Sequence, residues 1–190
     1  MDYLIYNLAE ISASAAALDL LPQDELAMAD RRGPRFALIR TLLRRELARR
    51  TGISARDINF EYGEHGKPEC AAQPFNISHS GDCLCLAFHH RAIGVDVEQV
   101  RERNYHSLAA RFMAPEQYET FCTRGFRQDE FFACWCAAEA LVKYAGDTMW
   151  NARNYPFIYF QGRIRCLFAH SPEVQLFTPM PGYCGAVAFS

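Results

Sequence analysis

"AIGVDVEQV", residues 92–100, has the composition of a buried strand and carries two carboxylates inside it. Side chains of a strand alternate between its faces, so Asp96 and Glu98 share one face while Val95 and Val97 share the other. Neighbouring carboxylates repel, and taking unpaired charge out of water costs several kcal/mol. The pair therefore requires a cation, an exposed face, or both. A solvated strand edge and a metal site are the two readings open at this point.

Working outward, the period of two extends upstream through "DINFEY" (57–62), a turn "GEHGKP" (63–68), "PFNIS" (74–78) and "DCLCLAF" (82–88), which predicts a meander of strands. "YLIYNL" (3–8) reads as a first strand. Between them "GPRFALIRTLLRRELARRTG" (33–52) is an amphipathic helix, started by Pro34, stopped by Gly52 and buried along Phe36, Ile39, Leu43 and Leu47. Past Val100 the pattern turns helical through "NYHSLAARF" (104–112), "PEQYETF" (115–121) and Gln128–Ala145, with Gly146 as the stop. "PFIYF", "RIRCLFA", "EVQLFT" and "YCGAVAF" then predict a second small antiparallel sheet. The fold class is α+β: two similar halves, residues 1–100 and 101–190, each with a small antiparallel sheet and helices, packed in a pseudo-twofold arrangement.

The chain has 190 residues, half of them apolar and 22% charged, which suits a globular protein with its own core. No apolar run approaches the 18 or so residues that span a bilayer, and the start lacks the features of a signal peptide, so a cytoplasmic protein without membrane contact is expected. Eight cysteines, with no CxxC pair and no histidine pair at zinc spacing, are expected to be reduced packing residues. Net charge is −2, yet residues 31–50 hold eight arginines against Glu46 alone. That run suits a polyanionic ligand, an acidic protein partner or nucleic acid. The mildly acidic pI of about 6.3 and the lack of a recognisable motif argue against nucleic acid.

Three further stretches carry chemistry. "GEHGKPE" holds Lys67 at a turn between Gly66 and Pro68, where an ordinary solvated lysine is the plain alternative. "FNISHSGD" places Ser78, His79 and Ser80 at a strand end, where hydroxyls and amides can meet an anion or simply complete a turn. "FFACWCAAEALVKYAG" repeats Trp135, Glu139 and Lys143 at every fourth position of a helix. On a solvated face Glu139 and Lys143 would be an ion pair of about 0.3–0.5 kcal/mol. Phe131, Phe132, Trp135, Leu141 and Val142 make most of this helix apolar, so its Glu and Lys need partners.

Taken in order, "GKP", "N-x-SHSGD", "GVDVE" and "W-x-x-x-E-A-x-x-K" resemble the 4'-phosphopantetheinyl transferase superfamily, in its longer monomeric, surfactin-synthetase-activating type. The resemblance implies that the phosphopantetheine arm of coenzyme A moves to a serine of an apo acyl or peptidyl carrier protein, leaving 3',5'-ADP. It implies Mg²⁺ held by Asp96, Glu98 and Glu139, an ion that takes hard oxygen ligands and neutralises pyrophosphate. Glu139 and Lys143 are the implied catalytic pair, Lys143 acting on the leaving oxygen. Arg40, Lys67, Ser78 and His79 are implied as coenzyme A contacts. A carboxylate or a metal-bound water is left as the acceptor of the serine proton.

The helix motif departs from the family at Ala138, where a lysine is usual. Position 138 lies about 100° around the helix from Glu139, so a flank position open to solvent or a neighbouring acid is expected, with no loss of a metal ligand. The rival to an active transferase is a catalytically silent relative that binds coenzyme A or a carrier protein in a regulatory role, and Ala138 is its only support.

Overall fold

Pro34 and Gly52 bound the first long helix as their chemistry requires. In the computed structural model, which describes residues 1–12, 15–102, 104–125 and 127–190, α2 runs Pro34–Thr51 and Gly52 ends it in the left-handed region at φ 73°. It follows a shorter helix, α1 (Gln23–Arg32), that the sequence reading did not anticipate. The helix α5, Gln128–Ala145, ends in the same way at Gly146, φ 71°. Two short helices, α3 (Tyr105–Phe112) and α4 (Pro115–Thr123), precede it.

Strands β1 (Asp2–Asn7), β5 (Cys83–Phe88) and β4 (Phe75–Ser80) form one antiparallel sheet in the order β1-β5-β4. A second sheet has the order β6-β10-β9, from Ile93–Gln99, Tyr183–Phe189 and Glu173–Phe177. Two hairpin pairs stand apart: β2 (Glu61–Tyr62) with β3 (Pro68–Glu69), and β7 (Phe157–Phe160) with β8 (Arg163–Cys166). The fold is α+β, with small antiparallel sheets and covering helices.

The layers follow from strand alternation. Leu84, Leu86 and Phe88 of β5 pack under Leu38, Leu43 and Leu47 of α2. Cys83, Cys85 and Ala87, on the opposite face, meet Val95 and Val97 of β6 and Val187 of β10. The far face of the second sheet, through Ala186, Ala188 and Val174, lies under Cys136, Ala137, Ala140 and Leu141 of α5. The order is helix, sheet, sheet, helix. All eight cysteines are free thiols, five of them buried. Among the described residues no helix is long and apolar enough to cross a membrane.

Two expectations are corrected. The meander does not continue to β6: that strand pairs with β10 in register Asp96↔Ala186 and Glu98↔Cys184, so the strand before residue 100 shares its sheet with the end of the chain. The reason lies at its other edge. Asn76, Ser78 and Ser80, successive on one face of β4, receive the Val95, Val97 and Gln99 amides of β6 on their side-chain oxygens at 2.8, 3.2 and 3.1 Å. Side chains thus occupy the edge where backbone carbonyls would have paired. The second correction concerns "DINFEY", of which only Glu61–Tyr62 is strand. The Ala55 and Ile58 carbonyls accept from the buried Arg44 guanidinium at 2.7 and 2.9 Å, which bends this segment into the first half's core.

Candidate functional site

Gly94 sets the position of α5 on β6. A Cβ at Gly94 would lie 2.1 Å from the Ala140 carbonyl and 2.3 Å from the Tyr144 amide, so only glycine admits the helix at this distance. The close approach brings Glu139 and Lys143 alongside Asp96, two residues beyond Gly94 on the same face. A cavity of about 600 Å³ opens there, and its walls include Arg32, Arg35, Arg40 and His79 together with Asp96, Glu98, Glu139 and Lys143.

Asp96 is 4% exposed. Its Oδ1 accepts from the Lys143 ammonium at 2.7 Å and from the Ser78 hydroxyl at 2.9 Å. Its Oδ2 is buried and has no hydrogen-bond partner among the described residues. Burial raises the Asp96 pKa, with Glu98 adding to it and Lys143 and Ser78 opposing. Glu98 accepts from the Ser80 hydroxyl at 2.8 Å and from the Trp135 indole at 3.3 Å. The Glu139 carboxyl is pushed up to about 7 by burial, opposed by Lys143 and reinforced by the charges of Asp96 and Glu98. Burial works against the Lys143 ammonium, yet Asp96 and Glu139 overcome it and raise its pKa.

These oxygens are of the hard type that Mg²⁺ takes. The orphaned Asp96 Oδ2 and the Glu139 carboxyl, lifted by burial and then by the neighbouring acids, both fit a cation, since a buried acceptor left unpaired costs about 1–3 kcal/mol. The acids are nevertheless not gathered at ligand spacing: among the described residues no group of three His, Cys, Asp or Glu is set to hold a metal. Asp96 turns to Lys143 and Ser78, and Glu98 to Ser80 and Trp135.

Of the residues singled out from sequence, Arg40, Ser78, His79, Asp96, Glu98, Glu139 and Lys143 line this one cavity. Ser78 is engaged within the protein, donating to Asp96 and accepting from the Val97 amide and Lys143 at 3.2 and 3.3 Å. Lys67 lies outside, in a neighbouring cleft beside Tyr144 and Gly146. Its ammonium donates to the Lys143 carbonyl at 2.8 Å and the Ile93 carbonyl at 3.4 Å, tying the β2–β3 turn to the end of α5. Burial lowers its pKa, Glu69 opposing and Lys143 reinforcing. His79 stays exposed at the rim, its pKa lowered by desolvation and by the charges of Arg35 and Lys143.

The arginine run is not one surface. Arg49 and Arg50 pair with Glu46, Arg44 is 2% exposed and bound to Glu25, and of the other five Arg32, Arg35 and Arg40 line the cavity. Sequence reasoning did not single out Arg32 or Arg35 within the arginine run, nor the Trp135–Glu98 bond. Ser80, read as a group that could meet an anion, is instead bound to Glu98 and the Gln99 amide. Ala138, expected on a flank, is instead 2% exposed in the core beneath α5, because the second sheet and the short helices cover that side.

The family model for the 4'-phosphopantetheinyl transferase superfamily matches residues 92–179, the stretch from β6 through α5 to β9. The chain is similar to the 4'-phosphopantetheinyl transferase HetI of Nostoc sp., at 34% identity over 67% of this chain and 60% of that protein. It is 31% identical to the 4'-phosphopantetheinyl transferase Sfp of Bacillus subtilis over 77% of this chain and 69% of that protein. The crystal structure of Thermotoga maritima holo-acyl-carrier-protein synthase (AcpS) aligns with a TM-score of 0.40 and 22% identity, over 51% of this chain and 61% of that one. The chain spans 60% of the HetI length and about half the length of other curated relatives it matches. With more than two thirds of Sfp covered at above 30% identity, the chain belongs to the 4'-phosphopantetheinyl transferase superfamily.

Proposed function

We propose that this protein transfers the 4'-phosphopantetheine arm of coenzyme A to a serine of an apo acyl or peptidyl carrier protein, releasing 3',5'-ADP. One observation carries the reading: a single cavity is lined by three arginines and a histidine together with three carboxylates and a lysine. A ligand that joins a phosphorylated nucleoside to a pyrophosphate needs cations for the first and a divalent ion with a lysine for the second.

In the reaction the serine oxygen bonds to the pantetheine-side phosphorus, the bond from that phosphorus to the bridging oxygen breaks, and the bridging oxygen leaves with 3',5'-ADP. Asp96, Glu98 and Glu139 would hold Mg²⁺, which supplies neutralisation of the pyrophosphate charge when bound. Lys143, kept charged by Asp96, stabilises the negative charge that develops on the leaving oxygen. A carboxylate of the site is the candidate acceptor for the serine proton. Arg40 and His79 bind the nucleotide phosphates. Ser78 fixes Asp96 and Lys143, and Lys67 holds the β2–β3 turn against the end of α5.

In this reading residues 1–100 supply the coenzyme A contacts and 101–190 supply α5, with β6 as the strand common to both halves. On the same reading the protein acts as a monomer. The silent-relative alternative rests on Ala138, which is packed in the core and lines no wall of the cavity. Release of 3',5'-ADP from coenzyme A tests the proposal: it should require both an apo carrier and Mg²⁺. ADP release without a carrier, or transfer undiminished in chelator, would refute it.

A further inference from the structure

Glu25, in the first turn of α1, is 1% exposed and faces α2. Its Oε2 accepts from Arg44 Nε at 2.7 Å, while its Oε1 lies 3.7 Å from Arg40 Nε and has no hydrogen bond among the described residues. The two arginines differ in how firmly they are held. Arg44 is also anchored by the Ala55 and Ile58 carbonyls at 2.7 and 2.9 Å. Among the described residues Arg40 makes one long hydrogen bond, to the Tyr62 hydroxyl at 3.5 Å. Both guanidiniums lie over the ring of Phe60, at 5.4 Å for Arg40 and 4.7 Å for Arg44, and Phe36 flanks Arg40 at 5.3 Å. Like charges one helical turn apart repel, and the carboxylate beside them allows both to rest on one ring. Of the two, only Arg40 lines the cavity.

We propose that Glu25 is a positioning residue: it holds the Arg40 guanidinium in the cavity wall, so that the N–H groups it leaves free are presented to the phosphates of coenzyme A. The inference rests on the coenzyme A reading above. Glu25 touches no ligand and acts through Arg40. Without its charge the repulsion from Arg44 is unopposed, and Arg40, the less anchored of the two, leaves the wall.

The test is titration calorimetry of the full chain with coenzyme A, together with steady-state kinetics. Glu25→Gln and Arg40→Ala should each weaken coenzyme A binding about tenfold, equivalent to about 1.4 kcal/mol. The double variant should bind no more weakly than Arg40→Ala alone. The KM for coenzyme A should rise, while kcat and the KM for the carrier stay within about twofold. Tyr62→Phe removes Arg40's other contact from an exposed side chain, so it tests the same arm if Glu25→Gln does not fold; coenzyme A binding should weaken with Tm unchanged. Unaltered affinity in these variants, or a loss from Glu25→Gln that persists in the Arg40→Ala background, would overturn the inference while leaving the transferase reading intact. A wild type that binds no coenzyme A would overturn both.

Discussion

Replacing Glu139 by glutamine should make the metal-free protein more stable at pH 8 and change it little at pH 5. Burial, with the charges of Asp96 and Glu98 added and Lys143 opposing, lifts this carboxyl from 4.5 to about 7. The folded state therefore binds the proton more tightly than the unfolded chain. Stability from that proton is full below about 4.5 and is lost as pH rises through about 7. A shift of this size corresponds to about 3 kcal/mol, and solvent access to the side chain reduces it to on the order of 1–2 kcal/mol. Glutamine keeps the size and removes the charge. Urea unfolding in chelator at several pH values between 5 and 8 is the assay. Wild-type stability should fall across that window, the variant should fall less, and at pH 8 the variant should lead by about 1–2 kcal/mol. Added Mg²⁺ should narrow the gap, because a bound cation stabilises the wild type more. A variant equal to or less stable than wild type at pH 8 would refute the burial of a charged Glu139 carboxylate beside Asp96 and Glu98.

Gly94→Ala should cost about 3 kcal/mol or more in chemical denaturation, since its methyl would meet the α5 backbone at 2.1 Å and drive the helix from β6. Ala138→Lys places an ammonium at a core position that is 2% exposed, and a loss of roughly 3 kcal/mol read as a lowered Tm is expected; an unchanged Tm would show that the position reaches solvent. Asp96→Asn should lower kcat at least about a hundredfold, because it removes a proposed Mg²⁺ ligand and the charge that sustains Lys143. Chelation of the wild type should give a comparable loss; near-normal turnover of the variant would remove Asp96 from the proposed ligand set, and near-normal turnover in chelator would remove the metal.

The long helices were legible because each carries its own stop, Gly52 and Gly146, and an apolar stripe of helical period. The shared face of Asp96 and Glu98 was legible from the strand period alone. What a local period does not encode is the partner. The pairing of β6 with β10 depends on residues far along the chain, and on Asn76, Ser78 and Ser80 taking its other edge. Lys67 looked like a loop cation because its acceptors, the Ile93 and Lys143 carbonyls, come from other elements. Ala138 looked like a flank because one helix seen alone has no covering layers. The arginine run showed its charge but not its division, since Glu25, which takes Arg44 out of the surface, lies on a helix that the sequence reading passed over.

The central claim is that this cavity moves a phosphopantetheinyl group from coenzyme A to a carrier serine. Intact-mass measurement of a panel of apo acyl and peptidyl carrier proteins, each incubated with the protein, coenzyme A and Mg²⁺, tests it most directly. At least one carrier should gain the mass of a single phosphopantetheinyl unit, and the same carrier with its acceptor serine replaced by alanine should gain none. Carriers left unmodified across the panel, while calorimetry shows coenzyme A bound, would contradict the claim and return the protein to the silent-binder reading.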